Sequence, residues 1–250
     1  MLLRPSRRLL RATAPAAGLS YSFEFVDRIS DRYPSIADAS QTGLDLQDFT
    51  FEIHVKWSSL PPNTNDRTWM FMKNLQTRFS LKRDNAALLS WRADIRSSSG
   101  YDVVSWTTAV AAMSLDTWYH LALTCDVSQS IGSQHELFID TVSQGNGVAL
   151  LNSNVSTVQD TANPFNVGSA IGGTEVRHAG KMADPRVWND VRTSTEIAGN
   201  WKARLAGNEA GLVSNWQGDE GTGSTAADSN TTSGNDMGLT NVGWSTDVPY

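Results

Sequence analysis

Cysteine is almost absent from this chain of 250 residues: Cys125 stands alone, so no disulfide forms within it. A fold of this length holds without such staples because its core is large enough. Cys125 itself sits in the alternating run from His120 to Asp126, where a free thiol acts as a small hydrophobe. Long apolar runs are missing too, and none approaches the roughly 20 residues that a membrane-crossing helix needs. Charged residues are few, 18% against 40% hydrophobic, which excludes a disordered chain. No serine lies in a Gly-x-Ser-x-Gly elbow, although His54, His120, His135 and His178 are at hand, and no Cys/His cluster supports zinc. What remains is a globular chain with nine Trp, several of which must be core.

Its charge is uneven. Residues 1–18 carry Arg4, Arg7, Arg8 and Arg11 and no acid; the other 16 Lys and Arg face 26 acidic residues, leaving a body of net charge −10. Spacings of 3, 1 and 3 put the four arginines on one side of a short helix. A secretory signal needs an unbroken apolar stretch, and Arg11 interrupts it. Two readings fit the arm: an Arg-rich, acid-free transit peptide for an organelle, or a docking arm on an acidic protein partner in a larger assembly. A functionless extension is the bland alternative. The acidic body would repel phosphates, which argues against nucleic acid as a partner.

From Leu19 onward strands and turns alternate. Tyr21 to Phe25 starts the sheet, and Leu46 to Trp57 follows, with Phe49, Phe51, Ile53, Val55 and Trp57 on one face. Strands are expected at Trp69–Asn74, Arg78–Lys82, Ala87–Ile95, Asp102–Thr107, His120–Asp126, Glu136–Asp140, Gly211–Gln217 and Met237–Trp244. Val127 to His135 reads as the loop joining two paired strands. Thr193-Ser194-Thr195-Glu196 is a capping box that opens a helix to about Leu205.

Three segments carry a resemblance. They are Asp116-Thr117-Trp118-Tyr119-His120-Leu121-Ala122, the run Ala179 to Ile197 containing Gly180-Lys181-Met182-Ala183-Asp184-Pro185-Arg186-Val187-Trp188, and Gly211 to Gly223 containing Asn215-Trp216-Gln217. In order and spacing they are similar to the laminin-G-like, concanavalin-A-like lectin/glucanase domains, over about residues 20–245. The resemblance implies an all-β fold, an antiparallel two-sheet jelly-roll sandwich over residues 19–250, with one short helix near 194–205. It places Trp118, Trp188 and Trp216 at core positions. Where relatives have an Asp-Gly turn this chain has Asp140-Thr141, so that turn must be built differently.

The resemblance also frames function. Glycosidases of the superfamily pair two carboxylates on one strand, about 5 Å apart when the chemistry is retaining. The nearest runs here, Asp219-Glu220 and Asp184 to Asp190, give no such pair, so the chain is expected not to be an enzyme. Relatives often hold Ca²⁺ at the sandwich rim, and Asp27, Asp31, Asp160 and Asp228 are the loop carboxylates that could serve; the bland reading of each is a solvated turn residue. Glycan recognition would use an aromatic beside polar groups. Arg92 and Asp94 lie on the polar face opposite Leu89, Trp91, Ala93 and Ile95; Trp106 either joins them as a ligand-binding aromatic or is buried with Val104. The expected role is a non-catalytic attachment or recognition module, such as a phage virion decoration or fibre component docking through its arm. The alternative is a lectin-like glycan binder, extracellular or at a cell surface.

Overall fold

Alternating runs supply strands that pair into two facing antiparallel sheets. The computed structural model describes residues 18–26, 32–64, 66–74, 76–170 and 178–250. In chain order the strands are β1 Ser22–Phe25, β2 Tyr33–Ile36, β3 Phe49–Trp57, β4 Arg67–Lys73, β5 Thr77–Arg83 and β6 Leu88–Arg96. Then come β7 Tyr101–Ala109, β8 Trp118–Cys125, β9 His135–Ile139, β10 Val142–Asn146, β11 Val148–Leu151 and β12 Phe165–Val167. The last are β13 Gly180–Trp188, β14 Leu212–Asn215, β15 Thr225–Ala226, β16 Met237–Thr240 and β17 Gly243–Ser245. One sheet runs β10-β9-β8-β3-β13-β1-β17 with β14 also on β13; the other runs β11-β7-β6-β5-β4-β12-β2-β16-β15. This is the expected jelly-roll sandwich. No helix among the described residues is long and apolar enough to cross a membrane.

Between the sheets the odd-numbered side chains of β3 meet Leu89, Trp91, Ala93 and Ile95 of β6. Trp57 and Trp91 touch edge to face at 5.9 Å, and Phe51 stacks on Phe71 at 4.7 Å. Fully burying a side chain of this size contributes roughly 1.5–3 kcal/mol, so this seam dominates stability. Cys125 lies inside it, and burial pushes its thiol well above the usual range.

Several expectations are corrected. The loop between β8 and β9 contains a one-turn helix, α1 Ile131–Gln134. The capping box is present, but its helix, α2 Ser194–Asn200, stops five residues early. Arg186 explains this: its guanidinium takes the carbonyls of Asn200 at 2.8 Å and Ala203 at 2.7 Å, satisfying the open end of the helix. The expected strand Met237–Trp244 is two strands, because Asn241 turns at φ +52 and sends β16 and β17 to opposite sheets. Asp140 and Thr141 make their hairpin turn without glycine, both at positive φ (+49 and +70), with Asp140 Oδ1 accepting from the His120 amide at 2.8 Å. Of the three family tryptophans only Trp216 is in the central core. Trp188 belongs to a separate cluster with Leu205 and Leu212, and Trp118 is half-buried and donates to Asp247.

The outer face of the β3–β13 sheet is sealed by α2, Trp201 and the terminal Tyr250. Asp184 and Pro185 form a bulge in β13, with Asp184 at φ +52, so that Ala183 pairs with His54 and Arg186 with Glu52. Glu52 accepts from or faces His120 Nε2 at 3.1 Å and Arg186 at 3.7 Å. Arg186 also pairs closely with Asp184, which takes Tyr250 Oη at 2.8 Å and Asn215 Nδ2 at 2.6 Å. Glu52 and His120 are 0% and 1% exposed, so this carboxylate–imidazole pair has no opening to a substrate.

Candidate functional site

The outer face of the second sheet is a different environment, and strand register builds it. β5 and β6 alternate cleanly, placing Arg78, Ser80 and Lys82 beside Asp94, Arg92 and Ser90. β4 does not alternate. A bulge between Trp69 and Phe71 turns both Met70 and Phe71 into the core, while Trp69 and Met72 pack outside with Ala170. The outer face therefore has rows across the strands: Arg67, Lys82, Ser90 and Thr107; then Trp69, Ser80, Arg92 and Ser105; then Met72, Arg78, Asp94 and Val103. Arg96 and Tyr101 follow at the end of β6 and β7.

Five cations, Arg67, Arg78, Lys82, Arg92 and Arg96, share this face with two carboxylates, Asp84 and Asp94. The patch is basic on a chain of net charge −6. Trp69 is its pivot. Arg67 and Arg78 lie over the ring at 5.6 and 6.0 Å, and Arg96 lies over Tyr101 at 4.8 Å. At 1% exposed, Trp69 is a floor that orients guanidiniums rather than a platform open to a sugar.

The cations differ in how far they are spent. Arg78 makes a two-point bridge to Asp94, with Nε to Oδ1 at 2.9 Å and Nη2 to Oδ2 at 2.8 Å. Burial raises the Asp94 carboxyl above its ordinary range, and Arg78, Arg96 and Arg67 offset part of that rise. Arg92 and Arg96 are less committed: Arg92 reaches Asp84 only at 3.8 Å, the Nε of each has no hydrogen-bond partner, and the Arg92 side chain is 26% exposed. The hydroxyl of Ser90 beside it is also unpartnered. Flat donors on a rigid sheet, flanked by hydroxyls and backed by an aromatic, suit carboxylates or sulfates carried on a hydroxyl-rich ligand.

Arg92 and Asp94 are together on this face, but Trp106 is not with them. It pairs with Trp91 and faces the core, 7% exposed, with Nε1 donating to Gly145 O at 2.8 Å. The β10–β11 ribbon crosses directly above it at Gly147, where a Cβ would fall within 3.0 Å of the indole. A shallow cavity of about 290 Å³ opens at this edge, lined by Trp106, Thr107, Gln144, Asn146 and Val148 among others.

Of the four expected calcium ligands, Asp160 and Asp228 are described, and each has partners of its own. Asp228 is used locally: Oδ1 accepts from the amides of Asn215 and Asn230, and Oδ2 from Ser233 Oγ and the Asn235 amide, at 2.7–3.2 Å. Asp160 lies at the rim near Lys73. Asp27 and Asp31, and the arm residues Arg4, Arg7, Arg8 and Arg11, lie outside the described residues. Asp219 pairs with Arg204, and Glu220 accepts from the Ala227 amide at 2.8 Å, so each is spent on a separate partner. Asn154-Val155-Ser156 and Asn230-Thr231-Thr232 match the N-glycosylation pattern; Asn154 is exposed, whereas Asn230 donates to Leu212 O and Val213 O.

Among solved structures, a candidate carbohydrate-binding protein of Bacteroides ovatus superposes with a TM-score of 0.62 at 17% identity, covering 92% of this chain and 60% of its own. The chain therefore spans about three fifths of that protein. Weaker likenesses include the carbohydrate-binding module of a Ruminococcus gnavus sialidase (TM-score 0.46, 16% identity, 73% of this chain and 98% of that one). Another is the enzymatically active domain of a bacteriophage CBA120 tailspike (TM-score 0.48, 9% identity, 77% and 32%). A search of curated proteins finds no match. A profile of the concanavalin A-like lectin/glucanases superfamily, of laminin-G type, matches residues 30–198, and the chain belongs to that family.

Proposed function

We propose that the protein is a non-catalytic recognition module that binds acidic carbohydrate on the outer face of the β4–β7 sheet. The observation that carries this is the concentration of five cations on the face that holds Trp69, on a chain of net charge −6, with Arg92 held only by an ion pair to Asp84 at 3.8 Å. Arg92, Arg96 and Lys82 supply charge to carboxylate or sulfate groups. Thr107, exposed at the end of this face, supplies a hydroxyl contact. Charge-assisted bonds of this kind contribute about 1.5–3 kcal/mol each, enough to set specificity on a shallow face. Changing Arg92→Ala is expected to weaken binding to an acidic glycan array by about 10-fold or more, while leaving the melting temperature unchanged. Binding that survives Arg92→Ala, or that treats neutral glycans equally, would sink this reading.

The charge asymmetry of the chain favours a second use, attachment of the module through its basic arm. Deleting residues 1–18 is then expected to abolish co-assembly with an acidic protein partner and leave glycan binding intact. Unchanged assembly after the deletion removes this second use.

A further inference from the structure

Two loops converge on the end of β4, the β2–β3 connection and the β11–β12 connection. Lys73 closes that strand with a side chain 0% exposed, and its ammonium forms a close hydrogen bond with Asp45. Asp38, in the one-turn 3-10 helix after β2, stands at 3.3 Å, and Asp160, in the loop before β12, at 4.0 Å. Asp45 belongs to the same connection, just before β3, so the cluster ties this link between the sheets to β4 and to the β11–β12 loop of the second sheet. Lys73 holds Asp45 below the ordinary carboxylate range against the effect of its partial burial. The neighbouring Asp45 pushes Asp160 up.

This rim contains Asp160, one of the carboxylates that the family resemblance offers to Ca²⁺. The donor set does not fit that ion. Calcium takes six to eight oxygens around a shared centre at about 2.3–2.6 Å. Here the centre of the three carboxylates is filled by the Lys73 ammonium, whose stem is buried and has no outward path. Among the described residues, no three His, Cys, Asp or Glu side chains are grouped to hold a metal. We infer that the Lys73 ammonium is the resident cation of this rim, fixing the two loops that a rim metal would otherwise fix, so that this rim does not depend on calcium.

The experiment is thermal melting of the full chain and of Lys73→Met and Lys73→Arg, each in EDTA and in millimolar CaCl₂. The wild type is expected to melt within about 1 °C in both, because an ion that does not bind the native state cannot stabilise it. Lys73→Met is expected to melt at least about 5 °C lower at pH 7, with Lys73→Arg in between. Its deficit should shrink as pH falls to about 3, below the ordinary carboxylate value, where Asp45, the carboxylate that Lys73 holds low, takes up a proton and no longer needs a counter-charge. The inference is overturned if EDTA lowers the wild-type melting point and calcium restores it. It is also overturned if Lys73→Met melts like the wild type, or if its deficit is the same at both pH values. Should Lys73→Met fail to fold, the EDTA and calcium arms on the wild type and Lys73→Arg still decide the matter.

Discussion

Replacing Arg186 by alanine is expected to destabilise the protein by about 3–5 kcal/mol, the cost of leaving buried carboxylates without their cation. Arg186 is the positive centre beneath α2, paired with Asp184 and near Glu52, both sealed from water. Burial alone would lower its pKa, yet Asp184 and Glu52 more than offset this and raise it. The substitution also frees the carbonyls of Asn200 and Ala203, so α2 loses its C-terminal anchor. Arg186→Lys keeps the charge but not the planar fork, and should fall between the two. Urea unfolding measures the loss as a fall in the midpoint with an unchanged slope. A deficit below about 1 kcal/mol would mean that the cluster is hydrated and not the sealed lock described above.

Acid should weaken the fold well before the carboxylates titrate. His135 is fully buried with neither ring nitrogen bonded, and burial lowers its pKa to about 3. His54 is lowered well below its ordinary value, first by burial and then by His120 and Arg186. Above the unfolded value near 6.5 both states are neutral, and neither histidine affects stability. Between there and the folded value, the unfolded chain binds a proton that the native chain refuses. Stability then falls as pH falls, by about 1.4 kcal/mol per pH unit for each histidine. At pH 5 the His135 contribution alone is about 2 kcal/mol. Glu52 and Asp247 are held below the ordinary carboxylate range, Asp247 at about 2 by Lys56, Trp118 and Lys181 against its own burial; their stabilisation is present above the unfolded pKa and is lost at still lower pH. Urea titrations from pH 7.5 to 5 should show this slope, and His135→Leu should flatten part of it. A stability that stays level between pH 7 and 5 contradicts the burial of these histidines.

The sandwich was legible because most strands keep strict alternation. β3, β5 and β6 need only parity to sort the side chains between the sheets from those on the outer faces, and parity put Arg92 and Asp94 on one outer face. It failed where one residue was inserted. The bulge in β4 moves Trp69 to the outside even though Phe71, two residues on, is core, so the aromatic of the basic face could not be found by counting from its neighbours. Trp106 was left open by parity for another reason: both faces of β7 offer plausible neighbours, and the β10–β11 link through Gly147 shows that it is buried with Val104. Lys73 with Asp38, Asp45 and Asp160 spans more than 120 residues of sequence, and nothing local to any of the four points to the others. The signal within reach was the run of Arg78, Ser80 and Lys82 beside Ser90, Arg92 and Asp94. Two neighbouring polar rows on adjacent strands already describe a charged outer face.

The central claim is that this face binds acidic glycans, and a chemical-shift titration with an acidic oligosaccharide and its neutral counterpart tests it most directly. The expected result is a set of shifts confined to β4–β7, including the Trp69 indole and the Arg92 and Arg96 amides, given by the acidic sugar alone and fading as salt screens the exposed guanidiniums. Shifts that map instead to the Trp106 edge or to the groove between Tyr33, Asn166 and Gly238 would contradict it, as would an equal response to the neutral sugar.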